Sequence, residues 1–176
     1  MNLVKRLTLL MCLAVGCFAQ ADDTPLRWAP LHGSTGFTQL KSLQGLPVPL
    51  RSSGTLTLDG KTLLWHTTAP VEQKLLITAA GVSQWQQQDY VALSGSEFVG
   101  QLMLAVLHQD EAFIAEHFSS AQVSESCTAL TPKQAPLNQL FRQIDLCGEQ
   151  QLQQLTLLEV NGNQTLIALQ PEPGAQ

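Results

Sequence analysis

The stretch from residue 50 to 85 contains four short β-type runs separated by turn signals, and it constrains the fold more than any other part of the chain. In residues 54–58 small or polar residues alternate with apolar ones, which is the period of a half-buried strand. Asp59-Gly60 predicts a tight turn, because glycine adopts positive φ without a Cβ clash. The remaining three runs are residues 63–67, 74–78 and 82–86, separated by Pro70 and by Ala80-Gly81. Connections this short predict an antiparallel meander in which neighbours in sequence are neighbours in the sheet.

The first 21 residues have the pattern of a cleavable signal peptide. Lys5 and Arg6 precede an apolar run over residues 7–18, and Ala19-Gln20-Ala21 is a small-x-small cleavage site. The apolar run is shorter than the about 20 residues that a bilayer-spanning helix needs. We therefore expect an exported, periplasmic protein whose single domain is residues 22–176.

An alternative to release is lipid anchoring. Ala14-Val15-Gly16-Cys17 approaches the cleavage box of lipoproteins, although such boxes prefer Leu where Ala14 stands. Lipidation of Cys17 would leave the chain attached to a membrane. Both readings remain open from the sequence.

The charge balance argues against two classes of partner. The chain has 9 Lys and Arg against 14 Asp and Glu, a net charge of −5, and loss of Lys5 and Arg6 with the signal peptide makes it −7. Nucleic acid requires a basic face, so it is not expected as a partner. The same balance disfavours docking on an anionic membrane surface.

Two segments before the meander have short signals. Asp23-Thr24, followed by Pro25, predicts a capped helix over Leu26 to Leu31. Residues 37–43 have apolar positions at helical spacing, but they also fit an edge strand. The sequence does not decide between these two structures.

After the meander the pattern changes to helix. Residues 86–89 read as a polar loop, and Ser94-Gly95-Ser96-Glu97 has the form of a capping box. The helix that follows, from Glu97 to about Leu107, is apolar on nearly all sides. A surface helix has a polar stripe, so this one is expected to be buried on several sides or to offer one side to an apolar ligand. A second helix is predicted from Glu111 to Phe118.

The last third of the chain predicts four more strands. They span about residues 122–131, 140–146, 152–160 and 164–169, with Asn161-Gly162-Asn163 as a hairpin turn between the last two. Signal cleavage leaves Cys127 and Cys147 as the remaining thiols, on or beside adjacent strands. We expect them to form a disulfide, because the chain is exported to an oxidising compartment.

No set of residues suited to catalysis or metal binding is visible. The four histidines, His32, His66, His108 and His117, lack the spacing of metal ligands, and no Gly-x-Ser-x-Gly motif or phosphate-binding glycine loop occurs. His66 is expected on the outward face of its strand. We expect neither an enzyme nor a cofactor.

The motifs resemble those of the LolA-like outer-membrane lipoprotein carrier proteins. These motifs are Phe37-Thr38-Gln39, the glycine-initiated strand at residues 54–58, Leu64-Trp65-His66, Pro70 and Leu76-Ile77-Thr78. The shorter LolA-related proteins of Gram-negative bacteria also share the segment from Gly45 to Leu50. The resemblance follows the order of elements along the mature chain.

The resemblance implies an open, curved antiparallel β half-barrel of mainly β (α+β) class, with helices covering its concave apolar face. Lipoprotein acyl chains would occupy the space between sheet and helices. The lining residues implied are Leu56, Leu58, Leu63, Trp65, Leu75 and Ile77 on the sheet and Phe98, Leu102, Met103 and Val106 on the helix. Each of these side chains equally suits an ordinary core.

The function implied is non-catalytic carriage of lipid or lipoprotein in the periplasm by a monomer. Its partners would be acylated cargo, an inner-membrane donor and an outer-membrane acceptor. Two alternatives are a membrane-anchored acceptor of the LolB type, which needs a lipidated Cys17, and a domain that senses acylated ligands.

Overall fold

The computed structural model describes Leu26 and residues 28–171, and the predicted signal peptide lies outside the described residues. Within them the chain forms one antiparallel sheet of 11 strands and three helices, so the predicted mainly β class is confirmed. The strands are β1 (Gly33–Ser42), β2 (Leu50–Asp59), β3 (Thr62–Ala69), β4 (Gln73–Thr78), β5 (Gly81–Gln86), β6 (Asp89–Ala92), β7 (Phe118–Ser124), β8 (Cys127–Pro132), β9 (Phe141–Gly148), β10 (Leu152–Glu159) and β11 (Gln164–Pro171). The helices are α1 (Glu97–His108), α2 (Glu111–His117) and α3 (Leu137–Leu140). None of these described helices has the length and apolar content to cross a bilayer.

The sheet is open, in the order β6-β5-β4-β3-β2-β1-β11-β10-β9-β8-β7. The predicted meander is confirmed, because β2 to β5 are consecutive neighbours, and Gly60 has the positive φ expected at the turn between β2 and β3. The polar loop predicted at residues 86–89 is wrong at its end, since Asp89 begins strand β6. Tyr90 contacts Trp85 across the β5–β6 hairpin, with ring centroids 5.0 Å apart.

The connection from β6 to β7 requires the sheet to curve. These two strands are the opposite edges of the sheet, yet they are consecutive in the chain and are joined through α1 and α2. Eleven strands laid flat would separate the edges by about 48 Å. The two helices rise only about 18 and 10 Å, and α1 packs beneath β4 and β5 on the way. The helices therefore cover one face of a curled sheet, which is the half-barrel predicted from the sequence.

The two predictions for the segment before the meander need correction. Residues 37–43 belong mostly to β1, which lies between β2 and β11 in the middle of the sheet, so neither a helix nor an edge strand forms. No helix forms among the described residues of the 26–31 segment. Trp28 is buried there, and Ala29 makes a bridge to Gln151 that extends the sheet contacts of this segment. Packing onto the sheet outweighs the local helix signal here.

The second half of the sheet contains one strand more than predicted. The single strand expected at residues 122–131 is a hairpin of β7 and β8 that turns at residues 125–126. The strand predicted to begin at residue 140 begins at Phe141, after the short helix α3. The Asn161-Gly162-Asn163 turn is confirmed between β10 and β11, with Gly162 at φ 87°.

Cys127 and Cys147 form the predicted disulfide between β8 and β9. They face each other in register, with their Cα atoms 4.1 Å apart. The adjacent pair Thr128 and Leu146 is buried, so the alternation of side chains places the disulfide on the opposite, outward face of the sheet.

The predicted capping box does not form, although α1 begins where expected. Ser96 rather than Ser94 is the residue before the helix, and its side chain does not cap the first turn. Its hydroxyl oxygen instead accepts a hydrogen bond from the backbone N–H of Val82 at 2.9 Å. The hydroxyl thus connects the start of α1 to strand β5. Helix α2 has a conventional cap, in which Asp110 accepts from the N–H of Phe113.

The strands end at two rims with different connections. We call the rim with the turns at residues 60–61, 79–80 and 149–151 the helix end, because α1 starts there. We call the rim with the loops at residues 43–49, 70–72 and 160–163 the loop end.

Candidate functional site

The six sheet residues implied as lining lie together on one face. Leu56 pairs with Trp65, which pairs with Leu75 on the next strand. One step nearer the helix end, Leu58 pairs with Leu63, which pairs with Ile77. Side chains at directly paired positions share a face of the sheet. All six also belong to the central apolar cluster or pack against it.

On β3 and β4, exposure on this face rises from the helix end to the loop end. Near the helix end, Leu63 and Ile77 are 0% and 1% exposed. Trp65 and Leu75, one pair further along, are partly exposed, and Gln73 beyond them is exposed. On β2, by contrast, Leu56 and Leu58 are both buried, so the partly exposed part of the apolar face lies on β3 and β4 toward the loop end.

Helix α1 produces the seal by close backbone contact with the sheet. A Cβ atom added to Gly100 would lie 2.4 Å from the carbonyl oxygen of Thr78 and 3.0 Å from the Cα of Gly81. Only glycine allows the helix and the β4–β5 turn to approach so closely. At the other end of α1, the carbonyl oxygen of Leu107 accepts from the N–H of Leu31 at 2.9 Å. Helix α1 is thus fixed at both of its ends.

The four helix residues implied as lining divide into two pairs. Leu102 and Val106 are 6% and 3% exposed and belong to the core cluster. Phe98 and Met103 are partly buried and pack against that cluster. The prediction that α1 is buried on several sides is confirmed, since Leu104, Ala105 and Leu107 are also buried.

Three rings join α1 to α2. Phe113 lies 4.4 Å from His117 and 5.7 Å from Phe98, and Phe98 lies 5.2 Å from His117, measured between ring centroids. His117 had no assigned role in the sequence. The sequence did contain a signal for this contact. Phe98 lies at one end of α1, and Phe113 and His117 are four residues apart and therefore on one face of α2.

Sequence reasoning also missed apolar residues from the far side of the sheet. Phe37 on β1 contacts Trp65 edge to face, with centroids 4.9 Å apart. Leu155 and Leu157 on β10 are partly buried against the same cluster. They lie in the leucine-rich segment of residues 155–158, where leucines at both inward and outward positions hide the alternation that distinguishes the two faces.

The polar groups near the site form surface pairs. His66 lies on the opposite face from Trp65, as predicted, and its Nε2 donates to Glu72 Oε1 at 3.0 Å. Lys74 forms an ion pair with the same carboxylate at 3.3 Å. The hydrogen bond from His66 and the charge of Lys74 hold the pKa of Glu72 below its ordinary value of 4.5. Within the described part of the chain, no group of three or more His, Cys, Asp or Glu is placed to hold a metal ion.

A separate surface hollow lies at the β7–β8 and β9–β10 turns. Its lining includes Gln122, Glu125, Ser126, Gly148 and Glu149. The polar and acidic character of these residues does not suit an acyl chain, and the hollow is remote from the paired positions of β2 to β4.

Comparison with known proteins gives similarity in solved structures alone. No family profile and no curated protein matches the chain. A LolA superfamily protein from Nitrosomonas europaea is 8% identical, with a TM-score of 0.47 over 85% of this chain and 88% of the other. A DUF1329 family protein from Desulfovibrio piger is 10% identical, with a TM-score of 0.38 over 81% of this chain and 86% of the other. The open, curved antiparallel sheet of this chain agrees with the fold that the resemblance of the sequence motifs implies.

Proposed function

We propose that this protein is a non-catalytic carrier that binds the acyl chains of lipids or lipoproteins between the curved sheet and α1. The observation that supports the proposal is the partial exposure of apolar side chains on the inner face of β3 and β4. Leu63 and Ile77 are sealed, whereas the paired Trp65 and Leu75 remain partly accessible from the loop end. An acyl chain entering there would contact an apolar surface that water otherwise reaches.

The energetic reason for such a site is the cost of exposing an acyl chain to water. Each methylene group removed from water contributes ~0.8 kcal/mol, so twelve methylenes contribute about 10 kcal/mol. Part of this is offset by ordering the chain and by any opening of the site. The binding face requires apolar side chains and few polar ones, which fits Trp65, Leu75 and Met103.

The location and the partners belong to the same proposal. The signal peptide pattern supports a periplasmic protein, which would collect cargo at the inner membrane and deliver it to an acceptor at the outer membrane. Lipidation of Cys17 would instead make the chain a membrane-anchored acceptor of the LolB type. Intact mass separates the two: a species beginning at Asp22 supports the carrier, and a species beginning at Cys17 with added acyl mass supports the acceptor.

The function is tested with two variants on one strand. Leu75 faces the inner side of β4, and its neighbour Leu76 faces the outer side with comparable partial exposure. We expect Leu75→Asn to weaken binding of a fluorescent fatty acid at least tenfold and Leu76→Asn to leave it nearly unchanged, with both proteins folded by circular dichroism. Absence of fatty-acid binding in the unaltered protein, or equal losses in the two variants, would overturn the proposal.

A further inference from the structure

The loop end of the sheet carries a continuous set of exposed apolar side chains. Val48 and Val71 are 70% and 73% exposed, and Leu46 and Leu50 are 51% and 53% exposed. The loops that carry them adjoin, because β2 pairs with β3 near residues 53 and 69. Along the same rim, Val160 and Leu140 are exposed and are joined by a backbone hydrogen bond of 3.0 Å.

The loop at residues 43–49 is held at its base and projects at its tip. The N–H of Gln44 donates to Asn163 Oδ1 at 3.0 Å, and the N–H of Leu46 donates to the carbonyl oxygen of Leu43 at 3.1 Å. Pro47 and Pro49 then restrict the backbone on both sides of Val48. A loop of this kind presents its apolar tip outward without having to be ordered by a partner.

The cations of the described chain are concentrated at the same end. Five of the six Lys and Arg residues that the structure describes lie there, namely Lys41, Arg51, Lys74, Lys133 and Arg142, with the four carboxylates Glu72, Asp89, Glu116 and Glu159. Lys41 and Lys74 form ion pairs with Glu159 and Glu72. Arg51 and Arg142 make no ion pair among the described residues.

The helix end has the opposite charge. Its single cation among the described residues is Lys61, and the turns and the helix start at this rim also carry Asp59, Glu97, Glu125 and Glu149. The net charge of the chain is the sum over both ends, so it does not reveal that cations outnumber carboxylates at the loop end. Segregation of this kind orients a protein toward an anionic surface.

We propose that the loop end docks on the surface of an anionic phospholipid membrane. Leu46, Val48 and Leu50 would enter the headgroup region, while Arg51 and Arg142 meet lipid phosphates. In a membrane, a layer of lipid phosphates lies over the hydrocarbon. Projecting aliphatic side chains suit the hydrocarbon, and the neighbouring cations that form no ion pair among the described residues suit the phosphates. This inference rests on the proposed function, because docking at the loop end would place the accessible part of the acyl-binding face against the membrane that supplies the lipid.

The test uses flotation of the purified, processed protein with vesicles at low salt. One set of vesicles contains 30% phosphatidylglycerol in phosphatidylcholine, and the other contains phosphatidylcholine alone. We expect preferential binding to the anionic set, weakened by added salt. Val48→Asp should weaken it about tenfold or more, since it replaces an apolar anchor with a negative charge, and Arg51→Ala about fivefold.

The controls are matched substitutions at the helix end. Val123 is 58% exposed near the β7–β8 turn, and Lys61 is an exposed cation in the β2–β3 turn. Val123→Asp and Lys61→Ala should leave vesicle binding unchanged. Equal losses in these controls, or no preference for anionic vesicles, would overturn the docking proposal.

The other occupant of this surface would be a second copy of the chain. If the protein binds no vesicles but forms a dimer that Val48→Asp dissociates, the surface serves self-association and membrane docking is overturned. Fatty-acid binding by the purified protein is measured separately, without vesicles. If the protein binds fatty acid but not vesicles, the docking proposal alone is overturned. If it binds vesicles but not fatty acid, the carrier proposal alone is overturned.

Discussion

The two ends of the sheet carry similar apolar residues that differ in how far they are exposed to solvent. At the helix end, Leu63 and Ile77 are sealed beneath α1, whose backbone meets the sheet at Gly100. At the loop end, Trp65 and Leu75 on the same face remain partly exposed, and the surrounding loops present apolar side chains to solvent. Residue type alone therefore does not distinguish the sealed leucines of β3 and β4 from the partly exposed ones.

This difference also changes how the covering helix is understood. The resemblance implied helices that cover the concave apolar face. Contacts at both ends fix α1 on that face, through Ser96 to Val82 and through Leu107 to Leu31. Helix α2 joins it mainly through the rings of Phe113 and His117. We therefore expect opening of the site to involve α2 and the loop end more than α1.

The largest expected difference is between two leucines in neighbouring strands. Leu63→Ala removes a fully buried side chain and should lower the free energy of unfolding by about 2–5 kcal/mol. Leu75→Ala should cost clearly less, because its side chain is partly exposed, yet it should weaken fatty-acid binding. Urea denaturation and fatty-acid titration of both variants measure the two effects. Equal stability losses would contradict the contrast between the ends.

The disulfide should contribute to stability and not to binding. It closes a loop with a sequence separation of 20 residues, for which the chain-entropy estimate is roughly 3 kcal/mol. The double variant Cys127→Ser, Cys147→Ser should therefore unfold at lower urea and bind fatty acid normally, since the bond lies on the outward face. Thiol labelling of the denatured, unreduced parent protein should find no reactive thiol, and two labelled cysteines would show that the bond does not form.

The close approach of α1 to the sheet is tested at Gly100. Gly100→Ala would place a Cβ against the backbone of Thr78 and Gly81, and we expect it to cost about 1–3 kcal/mol of unfolding free energy. The matched control is Gly36→Ala in β1, where φ is not positive and an added Cβ meets only ordinary contacts at 3.6 Å or more. Both lose backbone freedom, so only a larger effect at Gly100 supports steric anchoring.

The smallest effect concerns the ion pairs at the loop end. Nuclear magnetic resonance titration should give Glu72 a pKa below 4.5, because His66 and Lys74 stabilise its carboxylate. A carboxyl group with a lowered folded-state pKa stabilises the fold above its unfolded pKa and loses that contribution as pH falls through the folded value. Since Glu72 is fully exposed, we expect little change in overall stability. A measured pKa at or above 4.5 would exclude this pairing in solution.

Local patterns predicted the first half of the sheet well, because its strands are short, alternate clearly and are joined by glycine-containing turns. The same reasoning failed at β1, whose place between β2 and β11 depends on a strand more than 120 residues away in the chain. It failed again at β7 and β8, since no Gly or Pro marks the turn at residues 125–126. The six sheet residues implied by the resemblance do share one face, but the partial exposure of Trp65 and Leu75 depends on where α1 packs against the sheet, which no local pattern encodes.

Fluorescence quenching is the most direct test of whether an acyl chain reaches Trp65 from the loop end, as proposed. A brominated fatty acid quenches tryptophan fluorescence at short range, and the other two tryptophans are Trp28, which is 4% exposed, and Trp85, which lies on the outward face. We predict saturable quenching in the unaltered protein that is largely lost in Trp65→Phe and retained in Trp85→Phe. Quenching that persists unchanged in Trp65→Phe, or no saturable quenching at all, would contradict the account.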